Sequence, residues 1–408
     1  MTKQVKEAYV SPSWLREKLF MGMTFKEYIK KLFTPFNIVA GLIILAGLYF
    51  IVIRYTQGLG AVTHASDNQP WGLFLSWGLF TGIPLAAAGY VLGSTVYLFG
   101  LKEYRPLLRP AIILGFLGYL FAALFLLVDL GRPWRLPYPM FVSYGVGSVL
   151  FFVAWSVTLH VVLYFVESCP AIFEWLGSDR FRRWALKVTV GATIFVVTLS
   201  TLHQSALGAL FLLSPGKLHP LWYSQFIPVF FFVSSIFAGL SMVIAESTLT
   251  SRYLKHRVSA HYQAKLPELT LGLGKAASFV LFTYFGLKII GIAHGHHWNL
   301  LNTSYGYLFL VEMIIFVLLP CFLFAFGVRN RSVGLVRFTA FFTIIGVALN
   351  RFNVSLIGLN WKLPHRELFH WKEFVIVITI ITIELLIYRW IVNRMPVHRE
   401  HPEYKGMH

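Results

Sequence analysis

Ten long apolar runs constrain this chain more than anything else in it. They lie near residues 36–54, 72–100, 109–130, 143–166, 186–213, 225–249, 271–293, 304–327, 334–357 and 373–393. A helix needs roughly 20 apolar residues to cross about 30 Å of hydrocarbon. Backbone inside lipid must satisfy its own hydrogen bonds, so such runs are helices or the strands of a closed barrel. Barrel strands read as short alternating segments, whereas these runs are continuous. The expectation is an all-α integral membrane protein of about ten transmembrane helices. Pro84 predicts a kink in the second run. Only 13% of residues are charged, against about a quarter in soluble domains, which excludes an ordinary globular enzyme. The 57% hydrophobic content excludes a disordered chain.

In a soluble protein the net charge of +18 would suggest nucleic acid. Here it sorts by loop. The N-terminal segment, the loops around 102–109, 180–187, 252–265 and 329–337, and the C-terminus hold 25 Lys and Arg; the opposite connections hold 8. Lys275 and Lys288 fall within a run. The positive-inside rule therefore predicts a multi-pass protein of the cell (inner) membrane with both termini cytoplasmic and no nucleic-acid partner. Residues 1–35 read as a cytoplasmic basic amphipathic segment on the lipid surface, with Trp14, Leu15, Leu19, Met23 and Phe33 interleaved with Lys18, Lys26, Lys30 and Lys31. Residues 36–393 form the transmembrane domain and 394–408 a cytoplasmic tail. The first twenty residues lack a short apolar core with a small-residue cleavage site, so no cleavable leader is expected. Two cysteines, Cys169 and Cys321, cannot supply a zinc or iron–sulfur site by themselves.

An ionisable residue at membrane depth is costly and is a functional candidate by default. Asp129 and Arg132 stand in DLGRPWRLPYP, at the outer end of the third run. His203 and Gln204 lie in the outer third of the fifth, Glu246 near the inner end of the sixth, Glu312 near the outer end of the eighth, and Tyr119 near the middle of the third. Asn350, Arg351 and Asn353 end the ninth. Each has a plainer alternative. Asp129 and Arg132 at i, i+3 could be a salt-bridged helix end, Glu246 and Glu312 could snorkel to the interface, His203 could be a structural hydrogen-bonder, and Arg351 could neutralise a neighbouring acid. Two axial histidines for a haem must face each other at equal depth. Counted from the inner ends of their runs, His160 and His203 differ in depth by roughly 15 Å, so no haem is expected between them. His294, His296 and His297 cluster in an outer loop without a matching carboxylate or thiolate pattern, so no metal is expected either. A quinone fits better: it needs an apolar slot and a proton-exchanging group near each carbonyl, for which His203 and Asp129 are candidates.

Longer stretches carry a resemblance. FTPFN at 33–37, GLGAVTHASDNQPWG at 58–72, LVDLGRPWRLPYP at 127–139, TLHQSALGALFLLSPGKLHPLWY at 201–223, MVIAEST at 242–248 and PAIFEWLG at 170–177 resemble the NrfD/polysulfide reductase membrane-subunit family. The chain looks closest to the ten-helix HybB-like branch, which holds the b-type membrane subunit of nickel–iron hydrogenases and the membrane subunits of the Hmc and Dsr complexes of sulfate reducers. The resemblance implies a haem-free anchor, with two packed four-helix bundles plus two extra helices, that exchanges electrons with menaquinone or another quinone. It also implies an extrinsic iron–sulfur, ferredoxin-like subunit on the outer face, and a hydrogenase, multihaem cytochrome c or other redox subunit beyond it. It implicates Tyr119, His203 and Glu246 in quinone binding and proton movement, and Asp129 and Arg132 match its DxGRP run. Taken with the residues read above, the candidates are His203, Asp129, Tyr119, Arg132 and Gln204 for quinone binding and Glu246, Tyr119 and Asp129 for the proton pathway. Phe152 departs from the hydrogenase-type pattern, which carries a Glu there. The expected function is that of a non-autonomous quinone-reactive subunit of a respiratory oxidoreductase. A secondary transporter or proton-conducting protein without redox chemistry is the alternative from the residues alone, and a purely structural anchor is a third.

Overall fold

The computed structural model describes residues 12–399 apart from Ser214, His365, Arg366 and Leu368. Residues 1–11 and 400–408, assigned above to the N-terminal segment and the tail, lie outside the described residues. Among the described residues the regular structure is helical, without strands. Two short helices come first, α1 (Pro12–Phe20) and α2 (Phe25–Leu32). A capping box starts α2: Thr24 Oγ1 accepts from Glu27 N, and the Glu27 carboxylate accepts from Thr24 N at 2.7 Å. Thr34 caps the next helix, with Pro35 at its first position.

Ten helices among the described residues are long and apolar enough to cross a membrane. They are Pro35–Gln57, Phe74–Leu98, Lys102–Asp129, Val149–Leu176, Asp179–Leu213, Ile227–Tyr253, Ala260–His294, Ser304–Arg329, Val333–Ile357 and Trp371–Arg394, the first to tenth spans. The protein is thus a multi-pass integral membrane protein. The fourth span starts later and runs ten residues further than its apolar run. Gly145 and Gly147 delay its start, and the stretch Glu167–Glu174 continues the helix although its polarity ends the apolar pattern.

The second to fifth spans pack on one another, as do the sixth to ninth; the sixth also packs on the second and fifth. The first span pairs with the tenth, which leans on the third. The second span lies deepest and is irregular. Its ends, Phe74–Thr81 and Ser94–Leu98, are wound as π-helix, and the helix breaks at Ala87, whose N–H turns back to Pro84 O at 3.2 Å. Here the expected effect of Pro84 is visible. Proline has no N–H to give to the Phe80 carbonyl, which instead accepts from Arg351 Nε at 3.2 Å. The Ile83 carbonyl accepts from Gln204 Nε2 at 3.3 Å. The break therefore holds two polar side chains from two other helices. Close approach is needed beside it: a Cβ on Gly89 or Gly115 would lie 2.5 or 2.7 Å from the Tyr164 ring.

Candidate functional site

Among the second to fifth spans lies a buried cluster of rings: Tyr119 from the third, His160 and Tyr164 from the fourth, and His203 from the fifth. All four side chains are closed off from solvent. The Tyr119 and His160 rings stack with centroids 4.1 Å apart and planes 2° from parallel. His203 lies 5.6 Å from Tyr119 and 5.5 Å from His160. Tyr164 lies 5.8 Å from Tyr119.

The two imidazoles are held differently. His160 Nδ1 meets Ser156 O at 2.7 Å and its Nε2 meets Ser200 Oγ at 2.8 Å. Neither nitrogen of His203 has a protein partner, nor do the hydroxyls of Tyr119 and Tyr164 or Gln204 Oε1. Buried polar atoms are nearly always paired, so this concentration of unpaired ones makes the cluster the candidate site. Gln204 is fixed through its other amide atom, on Ile83 O, and its oxygen is left to accept.

Depth does not separate the two histidines, contrary to the expectation from the run ends. His160 and His203 do not stand 15 Å apart in depth; their rings are neighbours. The fourth span extends to Leu176, so His160 is much further from that end than its apolar run suggested. Side chains also lean toward the N-terminus of their own helix. On two antiparallel helices, His160 and His203 therefore lean toward each other. What stands against a haem between them is local: His160 spends both nitrogens on protein, and Tyr119 covers its face.

Toward the end that carries the termini, Glu167 follows Tyr164 by three residues on the fourth span. It is buried and accepts from Thr193 Oγ1 of the fifth. Sequence inspection missed Glu167, because the apolar run stopped just before it; a helix continued to the glycine at 177 would have placed it on the inner face with His160 and Tyr164.

The other candidates are placed elsewhere. Asp129 is ten residues, about 15 Å, along the third span from Tyr119. The buried guanidinium of Arg54 lies near it and donates to the carbonyls of Val128 and Leu130. Glu373 of the tenth span, itself buried, accepts from Phe74 N at 3.1 Å at the same end. Arg132 is exposed and does not pair with Asp129, since the helix stops at Asp129 and the i, i+3 geometry is lost; Arg54 supplies the cation instead. Glu246 sits apart from the ring cluster, near the terminal end. It accepts from Thr250 Oγ1 at 2.7 Å and from Tyr388, with His398 Nε2 at 3.1 Å.

A second closed cluster lies among the sixth to ninth spans. Glu312 is fully buried rather than snorkelling. It accepts from Asn350 and Asn353, each at 2.6 Å, and from Trp222 Nε1 at 2.9 Å. Arg351 donates to Asn350 Oδ1 at 2.7 Å and Ser234 Oγ at 2.6 Å, over the Phe231 ring. Lys288 is buried between the rings of Phe230 and Phe309. Among the described residues no group of three or more His, Cys, Asp or Glu side chains is placed to hold a metal ion.

A relative from Nitratidesulfovibrio vulgaris, described only as a protein, is 48% identical over 381 residues, covering 93% of this chain and 98% of its own. The probable Ni/Fe-hydrogenase 2 b-type cytochrome subunit of Escherichia coli is 29% identical over 88% of this chain and 91% of its own. The menaquinone reductase integral membrane subunit of N. vulgaris is 23% identical over 81% of each. The family model described as polysulphide reductase, NrfD, matches residues 61–361, a stretch that holds the ring cluster and the Glu312 cluster alike, and the chain belongs to that family.

Proposed function

We propose that this chain is a haem-free, quinone-reactive membrane subunit of a respiratory oxidoreductase complex. It exchanges electrons between an extrinsic iron–sulfur subunit and menaquinone. The family supports the class, since relatives bear the names of a hydrogenase b-type cytochrome subunit and a menaquinone reductase subunit. The observation that carries the reading is His203: a fully buried imidazole with both nitrogens free, beside a Gln204 oxygen and a Tyr119 hydroxyl that are also free. A quinone supplies the two-electron, two-proton chemistry. His203 would hold a proton at one quinone oxygen, and Gln204, fixed on the broken second span, would orient the head group. Tyr164 and Glu167 continue the polar line toward the terminal end and would move protons on that side. Asp129, with Arg54 and Glu373, would serve proton exchange at the opposite end, and Glu246 a separate exit among the sixth and tenth spans. The second to fifth and sixth to ninth spans form the two bundles in this reading. The basic end, with both termini, faces the cytoplasm across the inner membrane.

In the assembled complex, His203→Ala is expected to abolish quinone-coupled electron transfer, by roughly a hundredfold or more. A photoreactive menaquinone analogue should label peptides of the third to fifth spans. Full turnover in an assembled His203→Ala complex would reduce His203 to a structural group. A stoichiometric reduced-minus-oxidised haem spectrum from the isolated subunit would refute the haem-free assignment.

A further inference from the structure

At the end of the molecule that carries both termini, a cavity of 890 Å³ opens between α2, the first span, the tenth span and the turn after the sixth. That size is at the upper end of the roughly 300–1,000 Å³ of small-molecule sites. Its two halves differ in chemistry. One is apolar, walled by Ile38, Leu42, Leu45 and Leu386, and it opens sideways: Leu42 is 63% and Leu45 66% exposed. The other is rimmed by Lys31, His256, Arg257, Arg389 and Arg394, and among the described residues no carboxylate lines the cavity. Among the described residues none of these side chains takes part in an ion pair.

Arg257 is the telling residue. Its Nε is buried without a partner, and its Nη2 reaches only the Met21 sulfur, at 3.2 Å. Burial and repulsion from Arg399 and Arg394 push its guanidinium below the ordinary arginine range. Arg394 is held in place by donating from Nε and Nη2 to Leu19 O at 2.9 and 2.8 Å and from Nη2 to Tyr28 Oη at 2.6 Å, 4.6 Å over the Trp390 ring. That leaves its Nη1 edge, 3.4 Å from Trp390 O, for a ligand. Crowded guanidinium groups without a counter-ion are costly, and planar forks of this kind match phosphate oxygens. Tyr28, Tyr253 and Trp390 stand where the basic rim meets the apolar wall, as aromatic residues do at a membrane interface.

We propose that this cavity binds an anionic glycerophospholipid, with its phosphate on Arg257, Arg394 and Lys31 and its acyl chains along Ile38, Leu42, Leu45 and Leu386. Only an amphiphile covers both halves at once. Free phosphate would leave the apolar wall bare. A zwitterionic lipid would place its own ammonium among the arginines. The bound lipid would tie α2 to the first and tenth spans. The first span needs such a tie, since only 11% of its most apolar stretch is buried within the protein.

The test uses the full chain, purified in detergent, stripped of lipid and titrated under native mass spectrometry. Dioleoylphosphatidylglycerol is expected to bind at least tenfold more tightly than dioleoylphosphatidylcholine, and millimolar inorganic phosphate should not displace it. Arg257→Gln should weaken phosphatidylglycerol about fivefold, the share of one basic residue at a membrane surface. Leu42→Glu, which leaves every cation in place, should weaken it too, and it decides the matter if Arg257→Gln does not fold. Equal affinity for the two lipids, displacement by phosphate, or undiminished binding in both variants would overturn the assignment.

Discussion

Two buried polar clusters, a neutral one among the second to fifth spans and a charged one among the sixth to ninth, are satisfied to different degrees, the charged one leaving Asn353 Oδ1 without a protein partner. Around Glu312 each carboxylate oxygen accepts at least one donor, and Arg351 reaches Phe80, Asn350 and Ser234. Around His203 the groups carry no formal charge when the imidazoles are neutral, and five of their polar atoms have no protein partner. The energetics account for the contrast. A buried charge left unpaired costs several kcal/mol, so a charged cluster must be closed. A neutral donor or acceptor left open costs about 1–3 kcal/mol, which a fold can carry where a ligand will meet it. Under the proposed function the more fully satisfied cluster is an anchor and the open one receives the quinone.

The strongest way to break this comparison is to open the closed cluster. Glu312→Ala removes the acceptor of Trp222, Asn350 and Asn353 and leaves Arg351 and Lys288 without their carboxylate. The expected cost is about 3–5 kcal/mol, seen as a large drop in melting temperature in detergent. Glu312→Gln keeps one acceptor and should fall between. An unchanged melt for Glu312→Ala would remove the anchor role.

The converse is to close the open cluster. His203→Phe keeps a flat ring and removes two unpaired nitrogens. Stability should hold or rise by about 1 kcal/mol, while quinone-coupled turnover falls by roughly a hundredfold. A parallel loss of melting temperature and turnover would mean that His203, like Glu312, holds the fold.

These two clusters were legible in the sequence to different extents. The ten spans followed from run length, because lipid leaves the backbone no other choice. His203, Gln204, Glu312, Asn350 and Arg351 stood out because polar residues in apolar runs are visible one at a time. What could not be seen was who meets whom. Counting from run ends put His160 and His203 far apart, because it ignored the helical continuation past Glu167 and the opposite lean of side chains on antiparallel helices. Glu167 was missed for the same reason. Asp129 and Arg132 looked paired only while the helix was imagined to continue through Gly131 and Pro133. The carbonyls that hold Gln204 and Arg351 come from a break at Ala87 that has no simple sequence sign beyond Pro84.

Glu167 sharpens the comparison by asking whether the open cluster leads anywhere. Glu167→Gln keeps the shape and can still meet Thr193, but it cannot carry a proton. If protons move along Tyr164 and Glu167, turnover should fall by about tenfold, with the quinone still bound and the melt within about 1 kcal/mol of the parent. Glu246→Gln in the same assay separates the two exits. A full rate with Glu167→Gln and a slowed one with Glu246→Gln would move the route to the sixth span.

The smallest effect concerns the boundary of the closed cluster. His219 lies in the connection between the fifth and sixth spans, and its carbonyl accepts from the N–H of Trp222, one of the Glu312 donors. Its ring packs against Tyr305 at 4.6 Å and Trp361 at 4.8 Å, and its Nδ1 accepts from Leu221 N at 3.3 Å. The Nδ1 acceptor role requires an unprotonated nitrogen, and burial with a contribution from His297 lowers the pKa of the ring to about 4. In the unfolded chain it titrates near 6.5. Between those values the unfolded state binds the extra proton, so stability rises with pH there. The contribution is complete above about pH 6.5 and is lost as pH falls toward 4. The full shift would amount to about 3 kcal/mol, and the nearness of this loop to water reduces that to about 1 kcal/mol between pH 7.5 and 5. Wild type should therefore lose about that much more stability than His219→Gln over the same interval, measured as melting in detergent. Identical losses would show that the ring is wetted in solution and that the closed cluster ends at Trp222, one residue layer deeper.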